Sequence, residues 1–220
     1  QPEQRALLLD FFRDHGIALP QTYPMVRGRW VAHIGAPVDV EHYVERERRL
    51  VEREFNLSYM DALPGHNRIT AGRTFSQDDL ARGALSVEEG IARSLGWKLG
   101  DRLSWQVAGQ TFSAPITSVR KLDWDSMQVN FFVIATPGLL ADAATSYITS
   151  FRLPQAQAEF TNRLSQRFPN MTVVDMSAIL RQAQNVLEQV IRAVQLVFLF
   201  AVGAGILVLY SALLATRDER

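Results

Sequence analysis

Two aspartates that stand two residues apart are, by type and spacing, the residues best suited to do chemistry. Asp123 and Asp125 flank Trp124 in the segment Leu122–Ser126. Paired carboxylates can exchange protons in acid–base catalysis or bind a divalent cation. In a strand the two side chains would share a face, whereas in a turn they could diverge. Because neither a glycine-rich loop nor a third ligand lies nearby in sequence, we expect a structural turn rather than a catalytic pair.

Other patterns of catalytic or metal-binding residues are missing from the sequence. The chain has no cysteine, no G-x-S-x-G nucleophile elbow and no P-loop. Its histidines are scattered without i,i+4 pairs, so we expect surface or locally bonded side chains; they are His15, His33, His42 and His66. We therefore predict no catalytic, cofactor-binding or metal-binding residues. Basic and acidic residues number 23 each, so no basic excess favours nucleic acid as a partner.

The elements that would position any site follow a mixed α and β pattern up to about residue 175. Apolar periodicity, glycines and prolines predict helices at 5–15, 40–55, 77–82, 87–95 and 156–168 and strands at 23–34, 102–107, 111–119, 130–136, 145–153 and 171–174, with further short strands between 56 and 74. Ser86 and Glu89 have the spacing of a capping box, which places the start of the fourth helix at Val87. The fold class expected is α+β.

The carboxy-terminal part contains 24 consecutive residues without a charge, from Ala193 to Thr216. A helix rises about 1.5 Å per residue, so this run spans about 36 Å, enough to cross a hydrocarbon core of about 30 Å. We predict a transmembrane helix at 193–216. Within it, Ala201 and Gly205 lie one turn apart, where small residues allow close helix packing.

An amphipathic stem precedes the span at 176–192. Apolar residues recur there at alternating spacings of three and four, which defines a seam for a partner helix: Leu180, Ala183, Leu187, Val190 and Val194. No glycine or proline lies between Pro169 and Gly203, so stem and span can form one rod from Ser177 to Thr216. A plain tether is the alternative to a rod that carries motion.

Charges beyond the span orient it in the membrane. Arg217 and Arg220 favour the cytoplasmic side for residues 217–220, which places residues 1 to about 190 outside the cytoplasm. Gln1 is not an initiator residue and no signal peptide opens the chain. We expect the sequence to be a fragment, with a further span upstream.

Seven segments in order resemble the FtsX-like ABC transporter permeases, and within them the branch associated with a lysophospholipase/thioesterase. These segments are Pro24–Arg29, Arg53–Tyr59, Ser86–Ala92, Leu95–Asp101, Trp124–Met127, Val129–Phe132 and Ala215–Arg220. The resemblance implies a MacB-type extracytoplasmic domain at 1–175. Its porter-like parts would cover about 1–37 and 122–175, and a small α/β insert about 38–121.

The resemblance also implies a function in the bacterial inner membrane. Such permeases pass the motion of a separate cytoplasmic ABC ATPase through long helices to an outer domain that handles lipid, lipoprotein or other hydrophobic cargo. ATP would bind in that partner and no cofactor in this chain. Further partners implied are membrane lipid, the remaining spans of the same permease and an envelope hydrolase. Two alternatives stay open: the outer domain of a sensory receptor, and a membrane-anchored envelope hydrolase.

Overall fold

The chain folds into two compact units, Gln1–Leu153 and Pro154–Arg220, in a computed structural model that describes residues 2–126, 128–153 and 159–218. The first unit contains, in chain order, α1 (Pro2–Asp14), β1 (Thr22–His33), β2 (Ala36–Pro37), α2 (Glu45–Glu52), β3 (Phe55–Tyr59), β4 (Arg68–Gly72), α3 (Gln77–Arg82), β5 (Leu85–Glu88), α4 (Glu89–Leu95), β6 (Arg102–Val107), β7 (Gln110–Lys121), β8 (Val133–Ala135) and β9 (Ser146–Thr149). The second contains α5 (Glu159–Arg167) and α6 (Met176–Asp218). The mixed α and β content expected from the sequence is confirmed.

Six strands of the first unit close into a ring. The pairing runs β1, β3, β8, β5, β7 and β6, and β6 pairs back with β1. The β3–β8 and β5–β7 pairs are parallel and the other four are antiparallel. β2 and β9 extend the ring from β1, and β4 extends it from β7. Closure leaves the ring strands without a free edge between them.

Alternation along β1 shows why this sequence lines a core. Val26, Gly28 and Trp30 are buried, whereas Arg27 and Arg29 between them are exposed. This period of two is that of a strand with one buried face. All six ring strands contribute residues to the same buried cluster.

The centre of this core is aromatic. The rings of Trp30 and Trp97 meet edge to face at a centroid distance of 5.0 Å. Phe55 packs against Trp105 at 5.3 Å in the same geometry. Such pairs contribute about 0.5–1.5 kcal/mol beyond their area burial. Trp97, which follows α4, thus joins this helix to the ring.

The start of α4 corrects one expectation from the sequence. Ser86 is not a helix cap, because β5 continues through Glu88 before the helix begins. The Ser86 hydroxyl lies 2.7 Å from that of Ser118 on β7 and is fully buried. The Glu88 carboxylate caps the helix instead, accepting hydrogen bonds from the backbone N–H groups of Gly90 (2.8 Å) and Ile91 (2.7 Å).

Other predicted elements are shorter than expected or absent. The apolar run at 130–136 forms only the three residues of β8, and the predicted strand at 145–153 only the four of β9. The predicted strand at 171–174 is wrong: no strand is present at these described residues. A turn closed by the Met171 N–H and the Phe168 carbonyl, 3.0 Å apart, follows α5 there. An apolar tetrapeptide forms a strand only where a neighbouring strand edge supplies hydrogen bonds.

The charged segment at 40–55 also divides. A 3₁₀ turn at Val40–His42 precedes α2, which is half the length predicted. The helices and strands predicted at 5–15, 23–34, 77–82, 102–107 and 111–119 are confirmed with ends shifted by a few residues. The division of 1–175 into porter-like parts and an insert remains a prediction.

Candidate functional site

The most distinctive feature for function is the length of α6. This helix runs without a break for 43 residues, from Met176 to Asp218. At about 1.5 Å per residue it measures about 64 Å. The predicted helical continuity from Ser177 to Thr216 is therefore confirmed, and the division into a stem at 176–192 and a span at 193–216 remains a prediction. Its segment Val186–Val208 has the length and apolar composition of a membrane span, and none of this segment is buried within the chain.

The predicted seam lies along α6 and is open where the structure describes its side chains. Leu187, Val190 and Val194 are 62%, 55% and 62% exposed. The side chains of Leu180 and Ala183 lie outside the described residues. All three residues lie within the apolar segment Val186–Val208, so either lipid or a partner helix can cover them.

The small residues predicted to pack in the membrane have open space around them. Ala201 is exposed, and no atom lies within 4 Å of a Cβ built on Gly205. The side chain of Arg217, like the whole of Arg220, lies outside the described residues. At the other end of the apolar run, Glu188 and Arg192 form an exposed i,i+4 ion pair at 3.4 Å. An ion pair this exposed contributes only tenths of a kcal/mol to the stability of the helix. Its charged side chains set the residues before Ala193 apart from the uncharged run that follows.

The paired aspartates lie in a turn, as expected. Residues Trp124–Ser126 form a 3₁₀ turn. The main-chain carbonyl of Asp123 accepts hydrogen bonds from the Ser126 hydroxyl at 2.7 Å and the Asn130 side-chain amide at 3.3 Å. The side chain of Asp125 lies outside the described residues. Across the described ranges, no three His, Asp or Glu side chains are grouped to hold a metal ion.

The expectation of locally bonded histidines holds for His15 and His42, whereas His33 and His66 bond residues more than 60 positions away in the chain. His33 on β1 lies 2.8 Å from the Asp101 carboxylate. Burial raises the pKa of Asp101, but hydrogen bonds from His33 and from the Lys98 N–H lower it by more. The net effect is that the pKa of Asp101 is lowered. The other three contact neighbouring groups: His15 the Phe11 carbonyl, His42 the Asp39 carboxylate and His66 the Asn130 side chain.

Sequence reasoning missed a buried polar network on β7. Arg120 is 0% exposed and donates hydrogen bonds to the Asn67 side chain at 2.9 Å and the Phe131 carbonyl at 2.5 Å. Burial lowers the pKa of Arg120 to about 9, an effect that the nearby Glu88 carboxylate opposes. The arginine therefore remains charged at neutral pH inside the first unit. The only trace in the sequence is that Ser118 and Arg120 continue, at every second residue, the face that begins with the apolar Ala114 and Ile116.

Comparison with known proteins identifies one relative along the whole chain. Over 218 residues, 99% of the chain, the sequence is 36% identical to YbbP of Escherichia coli (strain K12), an uncharacterized ABC transporter permease. The chain spans only about a quarter, 26%, of that relative's length. No protein-family model matches the chain.

One solved structure covers a similar share of both chains. It is the crystal structure of a domain assigned to a permease protein of Porphyromonas gingivalis, which is 13% identical and has a TM-score of 0.35. It covers 73% of this chain and 69% of its own. The resemblance to the ABC transporter permeases is confirmed by the sequence match to the Escherichia coli permease alone.

Proposed function

We propose that this chain, which resembles part of an ABC transporter permease along nearly its whole length, is an outer domain and one membrane span of such a permease. The observation that carries the proposal is the unbroken helix α6, found in a chain that is 36% identical to a permease segment. The proposed location is the bacterial inner membrane. Residues 1 to about 190 lie outside the cytoplasm, and Arg217 and Arg220 lie inside it.

In this proposal α6 transmits motion. A cytoplasmic ABC ATPase binds and hydrolyses ATP, and the chain itself, which has no P-loop, contributes neither cofactor nor catalytic residue. A helix without glycine or proline before Gly203 is stiff along its axis, so a displacement at the membrane reaches the stem. The outer domain then acts on lipid, lipoprotein or other hydrophobic cargo.

The seam is the part of α6 that must engage a partner for motion to be passed on. Leu187, Val190 and Val194 repeat at three and four residues, the spacing with which a second helix packs. The same proposal includes three finer assignments. They are a MacB-type fold with porter-like parts and an insert, membership of the FtsX-like branch, and an envelope hydrolase as partner. Support for these finer assignments comes from the sequence motifs.

The experiment uses the full permease with its ATPase in lipid nanodiscs. Because the chain has no cysteine, Gly65→Cys provides a single position for a fluorescent label once any cysteines elsewhere in the full permease are replaced by serine. We expect ATP to change the label's signal in the parent. Leu187→Asp places a carboxylate in the seam, so ATP hydrolysis should continue while the ATP-dependent signal falls at least fivefold.

Gln189→Asp is the matched control, because it adds the same carboxylate to the same helix two residues away, outside the seam. Its signal should equal that of the parent. An undiminished signal in Leu187→Asp would refute transmission through the seam. Failure of the full protein to co-purify with any ABC ATPase would favour the sensory receptor instead.

A further inference from the structure

The strand β9 has one edge that no strand of the described structure covers. It pairs with β1 alone, from Ser146 opposite Met25 to Thr149 opposite Thr22. Within the described residues, the backbone groups on its other side form no backbone hydrogen bond. Such a row of unpaired N–H and C=O groups is the template on which a further strand adds to a sheet.

The other two strands that extend the ring are protected against such addition. β2 has only two residues and ends at Pro37, which has no N–H group to donate. β4 begins with the charged Arg68, and its pairing with β7 shifts register between Ile69 and Ala71. Shortness, proline, charge and irregular pairing all keep an edge from pairing. β9 pairs in regular register, and the run 143–151 around it contains neither a charge nor a proline.

The side chains of β9 leave apolar surface uncovered on both sides of the strand. Tyr147 and Ile148 are each 38% exposed. As successive residues of a strand they point to opposite faces of the sheet. A strand added at the open edge would place a side chain directly beside each of them. Strand addition therefore covers both residues, whereas packing on one face would cover only one.

The charges that flank β9 favour a second copy of this strand as the one that is added. Asp142 lies five positions before Tyr147 and Arg152 five positions after it, and both are exposed. Two β9 strands that pair in antiparallel direction about Tyr147 are related by a twofold axis. Each end of the pair then receives Asp142 from one copy and Arg152 from the other. A pair centred on Ile148 would bring Arg152 opposite Ala144 instead, so opposite charges meet only in the first register.

We propose that two copies of the permease pair through β9, in antiparallel direction and centred on Tyr147, so that the sheet continues from one copy into the other. The contact is short, and confinement of both copies to one membrane raises their effective concentration. In this respect the pairing rests on the membrane span of the proposed function. It does not require transmission of motion through α6.

The experiment oxidises single-cysteine variants of the full-length permease in native membranes, with any cysteines elsewhere in the protein replaced by serine. Tyr147 faces itself in this register, so Tyr147→Cys should form a disulfide-linked dimer. Ile148→Cys is the matched control, because Ile148 is equally exposed but faces Ser146 of the other copy. We expect at least fivefold less dimer from Ile148→Cys. Production of Ile148→Cys together with Ser146→Cys should restore it.

Charge reversal tests whether the added strand is a second copy. In the Tyr147→Cys protein, Asp142→Arg and Arg152→Asp should each reduce the disulfide-linked dimer at least threefold, because each variant brings like charges together at both ends of the pair. The double variant restores opposite charges at both ends and should restore the dimer. All these substitutions lie at exposed positions outside β9 itself.

Three results would overturn the pairing. They are no dimer from Tyr147→Cys, as much dimer from Ile148→Cys as random collision would give, or no effect of the charge reversals. Failure of the proposed function is measured separately, by the ATP-dependent signal of Gly65→Cys. A dimer in a permease without that signal would support the pairing and refute transmission, and the signal in a permease without the dimer would do the reverse.

Discussion

At the scale of single residues, Asp79 combines the most hydrogen bonds with the largest carboxylate pKa shift in the described structure. Its carboxylate pairs with Arg73 and accepts from the Ser76 N–H and hydroxyl, each at 2.8 Å. The Arg73 hydrogen bond is the main cause that lowers the pKa of Asp79 from 3.8 to about 2, against the opposing effect of burial. A carboxylate whose pKa is lower in the folded state stabilises the fold above its unfolded pKa and loses that effect as the pH falls.

We therefore predict that Asp79 stabilises the protein at neutral pH by about 2 kcal/mol and that this contribution disappears between about pH 5 and pH 2. The difference in free energy of unfolding between the parent and Asp79→Asn should shrink over this window. Denaturant titrations of the full chain in detergent at several pH values measure it.

Asp78→Asn is the control for this prediction. Asp78 makes an exposed i,i+4 pair with Arg82 at 3.1 Å on the same short helix. Such pairs contribute less than about 1 kcal/mol, so Asp78→Asn should change the free energy of unfolding little at any pH. If the free energies of unfolding of the parent and Asp79→Asn differ by the same amount at every pH, the lowered pKa of Asp79 is not the cause of its stabilising effect.

At the scale of elements, Gly28 shows how closely β1 approaches β3. A Cβ at this position would lie 2.6 Å from Leu57 Cδ1 and 3.0 Å from Val107 Cγ2, and Leu57 is fully buried. Glycine is needed here for space rather than for an unusual backbone angle.

Gly28→Ala should therefore reduce the free energy of unfolding by about 1–3 kcal/mol, because the core must move to admit the methyl group. Gly65→Ala is the matched control, since nothing lies within 4 Å of its Cβ position and its change should stay below about 0.5 kcal/mol. Thermal or denaturant unfolding of both variants measures the effect. Equal stabilities would show that β1 and β3 are less tightly packed than described.

Gly205 on α6 gives a second prediction at this scale. We predict that Gly205→Leu impairs assembly of the permease with its ATPase while the first unit stays folded, because the larger side chain prevents close helix packing. Among the described residues nothing lies within 4 Å of a Cβ at Gly205 or Gly203, so a defect in assembly would report on a partner. Gly203→Leu, two residues away on another face, should assemble normally. Co-purification measures assembly, and equal yields for both variants would remove the role of Gly205.

The elements that the sequence predicts best are those whose periodicity alone defines them. β1 alternates, the β6–β7 hairpin has its turn at Ala108 and Gly109, both with positive φ, and α6 has no breaker before Gly203. Ser86 failed as a cap because its hydroxyl bonds Ser118, a residue 32 positions away, and local spacing holds no information about such a contact.

The contact between the Arg53 guanidinium and the Phe132 ring was beyond prediction for the same reason. Arg53 and Phe132 are distant in the chain and meet only because β3 and β8 are neighbours in the ring. The buried Arg120 was likewise hidden, since one arginine at the end of a strand is usually exposed. The seam and the small residues of α6 were predicted from spacing, and their packing roles remain predictions.

At the scale of the whole molecule, the orientation in the membrane can be tested with single cysteines, because this chain has none and any elsewhere in the full protein can be replaced by serine. We predict that a membrane-impermeant maleimide labels Gly65→Cys in cells with a permeabilised outer membrane, and labels Glu219→Cys, which keeps both arginines, only after the inner membrane is disrupted. The reason is that the arginines after the span favour the cytoplasmic side. The opposite labelling pattern would show that the proposed orientation is reversed. Labelling of both positions while the inner membrane is still intact would show that the chain does not span it.

The closed pairing of six strands also bears on how this unit withstands mechanical load. An open sheet can unzip from its outermost strand, one hydrogen bond after another. In the closed ring each strand pairs with two others, so no ring strand is outermost and opening the ring must break one of these pairings from within. If α6 exerts a force on this unit in each ATPase cycle, the closed ring of strands is the part that keeps its shape while the segments around it deform.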